Sequence, residues 1–489
     1  MRRAIAKPLE YVPTGASRVQ IPTSPLKANG PPDGRVVPRP LENARVTGSM
    51  RPSQAIPSWA VVERALLGGG FLVLLLALPH AFEGDDLVRY DDLRQLLDHG
   101  HLTGSKFSLV MPLVSAPVVL LGHVVESDTW WATRFNILVV ATGALAVGFV
   151  LRGRVDAALL RRGLLVLLFA SLLTNRLRAY DAEVLSATLT AVGIACVATR
   201  RYVTAGWAAV AVAAVNTPAL VVALVPFATY DAVRAKRLRP FVWVVVAAAL
   251  VMAEAWIRRG SPFDSGYGGD RGYPTILPYS GRPDFSYPFL LGVASLLFSF
   301  GRGLLFFTPG LVLWLESRTR QAAAQVRPLL VPMLLVVAGM VLVYAKWWAW
   351  YGGLSWGPRF FPFAAVPASL LIAARIRRAG ESALADLAVL GVLALSAWVG
   401  VVGAISDYSE FAFCAANQYA LESLCWYVPE YSSLWWPVLH RPGLTFRTAI
   451  VVGWCVTMFV YLAVPLASGL VARVRRPVGL AAWVSGWRL

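Results

Sequence analysis

The sequence predicts an all-α polytopic membrane protein of about 12 transmembrane helices, with outer loops that carry short amphipathic helices. Three observations predict it. Apolar runs long enough to cross a bilayer recur along the 489 residues. Hydrophobic residues make up 57% of the chain and charged ones 15%, against roughly 25% charged in a soluble domain. Lys and Arg gather in alternate loops, as they do on the cytoplasmic side of membrane proteins.

The mean hydropathy of +0.60 excludes a water-soluble globule. The 18 Trp, 16 Tyr and 22 Phe exclude disorder for most of the chain. The formal charge of +18 comes from 45 Lys and Arg against 27 Asp and Glu. In a soluble protein that excess would point to nucleic acid. Here it is assigned to cytoplasmic loops, so the expected partner is membrane lipid and no nucleic acid. The four Cys form no CxxC, which excludes a zinc or thioredoxin motif.

Residues 1–58 are polar and rich in Pro, Gly and Arg. They read as a disordered basic cytoplasmic leader without a cleavable signal, and both Met1 and Met50 stay open as starts. The first span is Trp59–Phe82. Further spans follow at Trp131–Leu151, Gly163–Thr174 (extended to Tyr180), Ala182–Thr199, Val203–Ala214 and Pro218–Tyr230. The rest are Phe241–Ile257, Phe298–Leu315, Pro328–Tyr344, Phe360–Ala374, Leu387–Ile405 and Thr448–Ala472. The pair around Asn216-Thr217-Pro218 is short and reads as a tight hairpin or a broken helix. Phe107–Leu121 holds Pro112 and Pro117 and is assigned to a membrane-skimming outer segment, because a span there would turn an Arg-rich loop outward.

With that map, and with Glu63 and Arg64 inside the first helix set aside, the inner segments hold 29 Lys and Arg and 8 Asp and Glu, and the outer loops and outer helix ends hold 15 and 18. Both termini are therefore expected in the cytoplasm. The core occupies 59–405, with outer loops at 82–130 and 258–297. A third outer loop covers 406–447, and 448–489 is the last helix with a basic tail. Cys414 and Cys425 lie in that third loop, where a periplasm-like compartment permits a disulfide. Cys196 and Cys455 lie within helices as packing residues.

Chemistry is expected on the outside. The first outer loop opens with Glu83-Gly84-Asp85-Asp86, then Tyr90, Asp91 and Asp92. A solvated acidic loop explains Asp91, Asp92 and Asp98. Asp85 and Asp86 sit at the membrane surface, where partial desolvation raises a carboxylate pKa and suits a general base. Asp181, followed by Glu183, is either a helix N-cap or a second carboxylate facing the first across the bundle. Lys106, Arg302, Lys346 and Arg359 are basic groups near the outer surface. Each alone can snorkel to headgroups, and together they can hold an anionic lipid phosphate. Trp347–Arg359 carries four Trp, Tyr351 and three Gly. An interfacial aromatic belt is its ordinary reading, yet Tyr351 and Trp356 offer faces for sugar rings. The loop 258–287, with Tyr267, Tyr273, Tyr279 and Tyr287, reads as a flexible binding loop. No Walker, GxSxG, HExxH or dinucleotide fingerprint is present, which argues against a nucleotide-driven pump.

The order of these features resembles the GT-C superfamily of integral membrane glycosyltransferases that use polyprenyl-phosphate sugars, protein O-mannosyltransferases and lipid A aminoarabinose transferases among them. The resemblance rests on Gly84-Asp85-Asp86 with Tyr90, on Lys106 to Pro112 and Pro117, and on Asp181. It rests also on Phe300-Gly301-Arg302-Gly303-Leu304-Leu305-Phe306 and Tyr351–Arg359, and covers about residues 59–375. The spacing to Tyr90 is one residue longer than the family's, which leaves Asp85 and Asp86 both open as the counterpart. The resemblance implies a GT-C-like bundle. It implies an outer-face, inverting transfer of a sugar from a polyprenyl-phosphate donor to a lipid, glycan or protein acceptor. Asp85 or Asp86 would be the base, Lys106, Arg302 or Arg359 would meet the phosphate, and Asp181 would orient the acceptor or help bind a metal. Some members use a divalent cation such as Mg or Mn and others none, and His80, His99 and His101 are further candidate ligands. The competing readings are a lipid or oligosaccharide flippase, weakly hinted by the Asn216-Thr217-Pro218 break, a surface polysaccharide polymerase or ligase using Glu410, Glu422, Glu430 and His440, and a non-catalytic scaffold.

Overall fold

The computed structural model describes residues 59–474, so the expectations for the leader, for Met50 and for the basic tail beyond 474 lie outside the described residues. Helices α1 (Trp59–Leu76), α2 (Asp85–His99), α3 (Val110–Leu121) and α4 (Asp128–Leu151) come first. Next are α5 (Ala157–Phe169), the single turn α6 (Leu173–Arg176), α7 (Ala182–Ala198), α8 (Val203–Asn216), α9 (Leu220–Ala235) and α10 (Arg239–Arg259). After the loop 260–288 come α11 (Phe289–Phe298), α12 (Leu304–Phe307), α13 (Ser317–Ala322), α14 (Arg327–Tyr344), α15 (Pro362–Ile376) and α16 (Ala383–Ile405). Short helices α17 (Ala412–Ala415), α18 (Leu424–Tyr427) and α19 (Trp436–His440) precede α20 (Phe446–Val474). Among the described residues the only β pairing is a single bridge between Arg271 and Pro283.

Six helices (α1, α4, α10, α14, α16 and α20) are long and apolar enough to cross a membrane. Four of the other expected spans are the shorter helices α7, α8, α9 and α15. α10 shows what surrounds the bundle. It is apolar almost all round, yet Val242, Val245, Leu250, Trp256 and Ile257 are exposed. Water does not tolerate such a surface on a folded protein, whereas acyl chains do. α15 is the opposite case: every residue but Val366 is buried, and it packs against α5, α14 and α7 at the centre.

Local chemistry sets the breaks. The first span stops at Leu76, short of the expected Phe82, and Pro79 follows the break. Asp156, Asp181 and Ser127 cap α5, α7 and α4 with side-chain oxygens. Asn216 closes the α8–α9 hairpin by donating to Ala182 O and Ser186 Oγ, both at 2.8 Å, and by accepting from Met111 N at 3.0 Å. Those bonds dock α3 on the bundle. At 12 residues α3 is about 18 Å long, too short to cross.

Two expected spans are not continuous helices. The segment 163–180 ends its helix at Phe169 and turns at Leu173–Arg176. The segment 298–315 breaks at Ser299–Gly303 and continues as a tight turn and a 3-10 helix at Pro309–Leu315. The cause is close packing: a Cβ on Gly301 would meet the Cys425 carbonyl oxygen at 1.9 Å. The partner segment is the loop 406–447, pinned by a Cys414–Cys425 disulfide. Cys196 and Cys455 are free and buried.

Candidate functional site

The N-terminal ends of α2 and α7 meet the loop between α14 and α15 at one polar cleft. Glu83, Gly84, Asp86, Arg89, Arg176, Ala179, Asp181, Glu183, Leu354, Ser355 and Arg359 line it. Gly84 lets the chain turn into α2 at φ +52, a conformation that a side chain strains. That turn places Asp85 and Asp86 in the first helical turn, where the helix dipole favours negative charge.

Asp85 forms an ion pair with Arg359, which arrives from a loop far away in the sequence. Burial pushes the Asp85 carboxyl up, but Arg359, Arg89 and Lys106 outweigh it and hold the group below its ordinary range. The neighbour behaves oppositely. Asp86 is 6% exposed, and its nearest cation, Arg89, stands at 3.7 Å. Burial wins over Arg89 and Arg359 and pushes Asp86 up to about 7. Adjacent carboxylates with opposed shifts are the arrangement expected of groups with separate acid–base roles. Arg359 itself is raised because Asp85 and Glu183 more than repay its burial.

Asp181 Oδ1 accepts from Glu183 N at 2.9 Å and so caps α7. Its other oxygen takes Arg176 Nη1 at 3.2 Å. Asp181 thus caps the helix, and its carboxylate also lines the cleft. Lys106 stands at the rim, 2.6 Å from Asp270 and 4.9 Å over the Tyr267 ring.

The remaining expected residues do not line the cleft. Lys346 is exposed. Tyr351 stacks on Trp426 with centroids 4.0 Å apart. Trp356 packs edge-on against Phe307. Arg302 is 2% exposed and spends its guanidinium on the carbonyls of Ser355, Gly357 (3.1 Å) and Gly353 (3.0 Å). The sequence reading missed Arg89 and Arg176, whereas Tyr267 stands in the loop it reads as a binding loop. Arg89 had a readable signal, since it lies one turn beyond Asp85 and Asp86 on the same helix face. Arg176 had one too: it is a cation inside an apolar run, at the short turn Leu173–Arg176.

The cleft carboxylates alternate with guanidiniums, and no three His, Cys, Asp or Glu among the described residues converge as a metal site. His80, one candidate ligand, is turned toward Leu74 O at 3.0 Å, and burial with Arg134 lowers it to about 4.

Neither a family model nor a curated protein matches the chain. Among solved structures it is similar to ArnT from Cupriavidus metallidurans in the apo state, at 16% identity and a TM-score of 0.48, covering 85% of this chain and 78% of that one. The same protein bound to undecaprenyl phosphate gives 14% identity and a TM-score of 0.47, with 86% and 79% covered.

Proposed function

We propose that this chain is an inverting glycosyltransferase that moves a sugar from a polyprenyl-phosphate donor to an acceptor hydroxyl at the outer face of the cytoplasmic membrane. One observation carries the reading. A buried carboxylate poised near neutrality, Asp86, stands beside a carboxylate locked to a guanidinium, Asp85 with Arg359, in a cleft where three arginines meet. A base and a cationic seat for a leaving phosphate are the two things that such a transfer needs.

In this mechanism the acceptor oxygen forms a bond to the anomeric carbon, and its proton goes to Asp86. The bond from that carbon to the phosphate oxygen breaks, and its electron pair stays on the phosphate. Arg359, oriented by Asp85, faces that growing charge, with Lys106 at the rim. Asp181, fixed by Arg176, and Glu183 bind the acceptor. A divalent cation belongs to some members of the resembling superfamily. The donors here do not converge on one, so no step is drawn through it.

The test is sugar transfer from a panel of synthetic polyprenyl-phosphate sugars by purified protein in nanodiscs. Polyprenyl phosphate should appear with wild type and vanish with Asp86→Asn. If wild type releases none from any donor, the reading falls, and lipid translocation becomes the next assay. If Asp85→Asn abolishes turnover while Asp86→Asn does not, the base has been misassigned.

A further inference from the structure

The Gly352–Arg359 loop offers its carbonyls to two buried arginines. Arg302 donates to the carbonyls of Gly353, Ser355 and Gly357, and Arg176 donates to the Trp356 carbonyl at 2.8 Å. In a planar trans peptide the carbonyl of one residue and the N–H of the next point in opposite directions. Arg302 does not line the cleft, whereas Leu354, Ser355 and Arg359 do. The carbonyls of Gly353 and Ser355 point at Arg302, so the N–H groups of Leu354 and Trp356 point away from it, on the loop whose Leu354 and Ser355 line the cleft. Neither N–H has an acceptor among the described residues. Trp356 is 2% exposed, and a buried backbone N–H without an acceptor is rare and costly. Glycines at 352, 353 and 357, all at positive φ, give the backbone this shape. Unpaired backbone N–H groups of one turn, beside a guanidinium, can bind anions.

We propose that the Leu354 and Trp356 amides, aimed by Arg302, form with Arg359 a subsite for a phosphate monoester. The assignment deepens the transferase reading, on which its role in turnover rests. There the amides would donate to the non-bridging oxygens of the departing lipid phosphate. Arg302 is then a positioning residue and touches no substrate.

The test uses the full chain in nanodiscs and two probes, inorganic phosphate and decaprenyl phosphate. Hydrogen exchange is read at Leu354 and Trp356 with and without each probe. Protection of both amides by at least one probe supports the subsite. Unchanged exchange at both sites, or no binding of either probe, overturns it. Decaprenyl phosphate acting alone assigns a lipid monoester, and equal action of both probes assigns the phosphate group itself. Replacing the Trp356 amide by an ester removes the donor and keeps the side chain. It should weaken probe binding by about tenfold. An affinity within twofold of wild type would overturn the assignment. Arg302→Gln should lose the protection and Arg302→Lys restore part of it. If wild type protects both amides yet transfers no sugar, the transferase reading fails and the subsite stands.

Discussion

Asp86 controls two measurable properties. As the base it must be ionised, so kcat/KM should fall as pH drops below about 7. Removing it by Asp86→Asn should lower kcat by about 10²- to 10⁴-fold, the usual worth of a general base. Arg359 pulls Asp86 down, so Arg359→Gln should move the acidic limb of the profile to higher pH. Burial also makes this carboxyl a stability cost. Its folded pKa lies above its unfolded one, so the folded state holds the extra proton between about 4 and 7. Stability is thus lost as pH rises through that window. Asp86→Asn should gain on wild type over the same window, by on the order of 4 kcal/mol for a shift from 3.8 to about 7. Thermal midpoints at pH 4.5 and pH 8 test this, and a gap that does not widen with pH would refute the buried, raised carboxyl. The acidic pair could be read in the sequence as candidates. Which member pairs with Arg359 could not, because Arg359 reaches Asp85 only through the fold.

At the scale of elements, the loop after α14 decides whether the cleft exists. Gly357 has φ +58, and a Cβ there would stand 2.8 Å from the Phe307 ring. Gly353 is also left-handed, at φ +71, but a Cβ there meets nothing within 4 Å. Gly357→Ala should therefore combine strain with a clash, cost about 1–3 kcal/mol, and lower turnover at least about tenfold if the shift costs the transition state 1.4 kcal/mol or more. Gly353→Ala should show strain alone, about 1 kcal/mol. Equal thermal shifts for the two would mean that the Phe307 contact is unimportant. The disulfide loop supports the same structure from behind, since Gly301 N donates to Trp426 O at 3.1 Å and Trp426 carries Tyr351. Cys414→Ser with Cys425→Ser should cost about 2–4 kcal/mol and speed hydrogen exchange across 299–303. The glycines and aromatics of this loop stood out in the sequence. Their ordinary reading as an interfacial belt was equally open there, because composition does not say which carbonyls an arginine will take.

For the molecule as a whole, the charge asymmetry predicts orientation. A cysteine introduced at Ser265 should react with an impermeant maleimide in intact cells, while one at Gln321 should react only after permeabilisation. The reverse pattern would turn the cleft to the cytoplasm and exclude a flipped donor. The sequence by itself determined that the chain is helical, apolar and multi-pass, and that its polar chemistry clusters at loops after α1 and before α7. Hydropathy, helix caps and Pro or Gly breaks are local properties, so neighbouring residues suffice to read them. Only the tertiary structure decided that 298–315 breaks, because the obstacle is a carbonyl from a loop more than a hundred residues away. It also decided that Arg302 binds backbone while Arg359 faces Asp85. Both are arginines beside glycine or proline, and only their distance to a carboxylate in the folded bundle tells them apart.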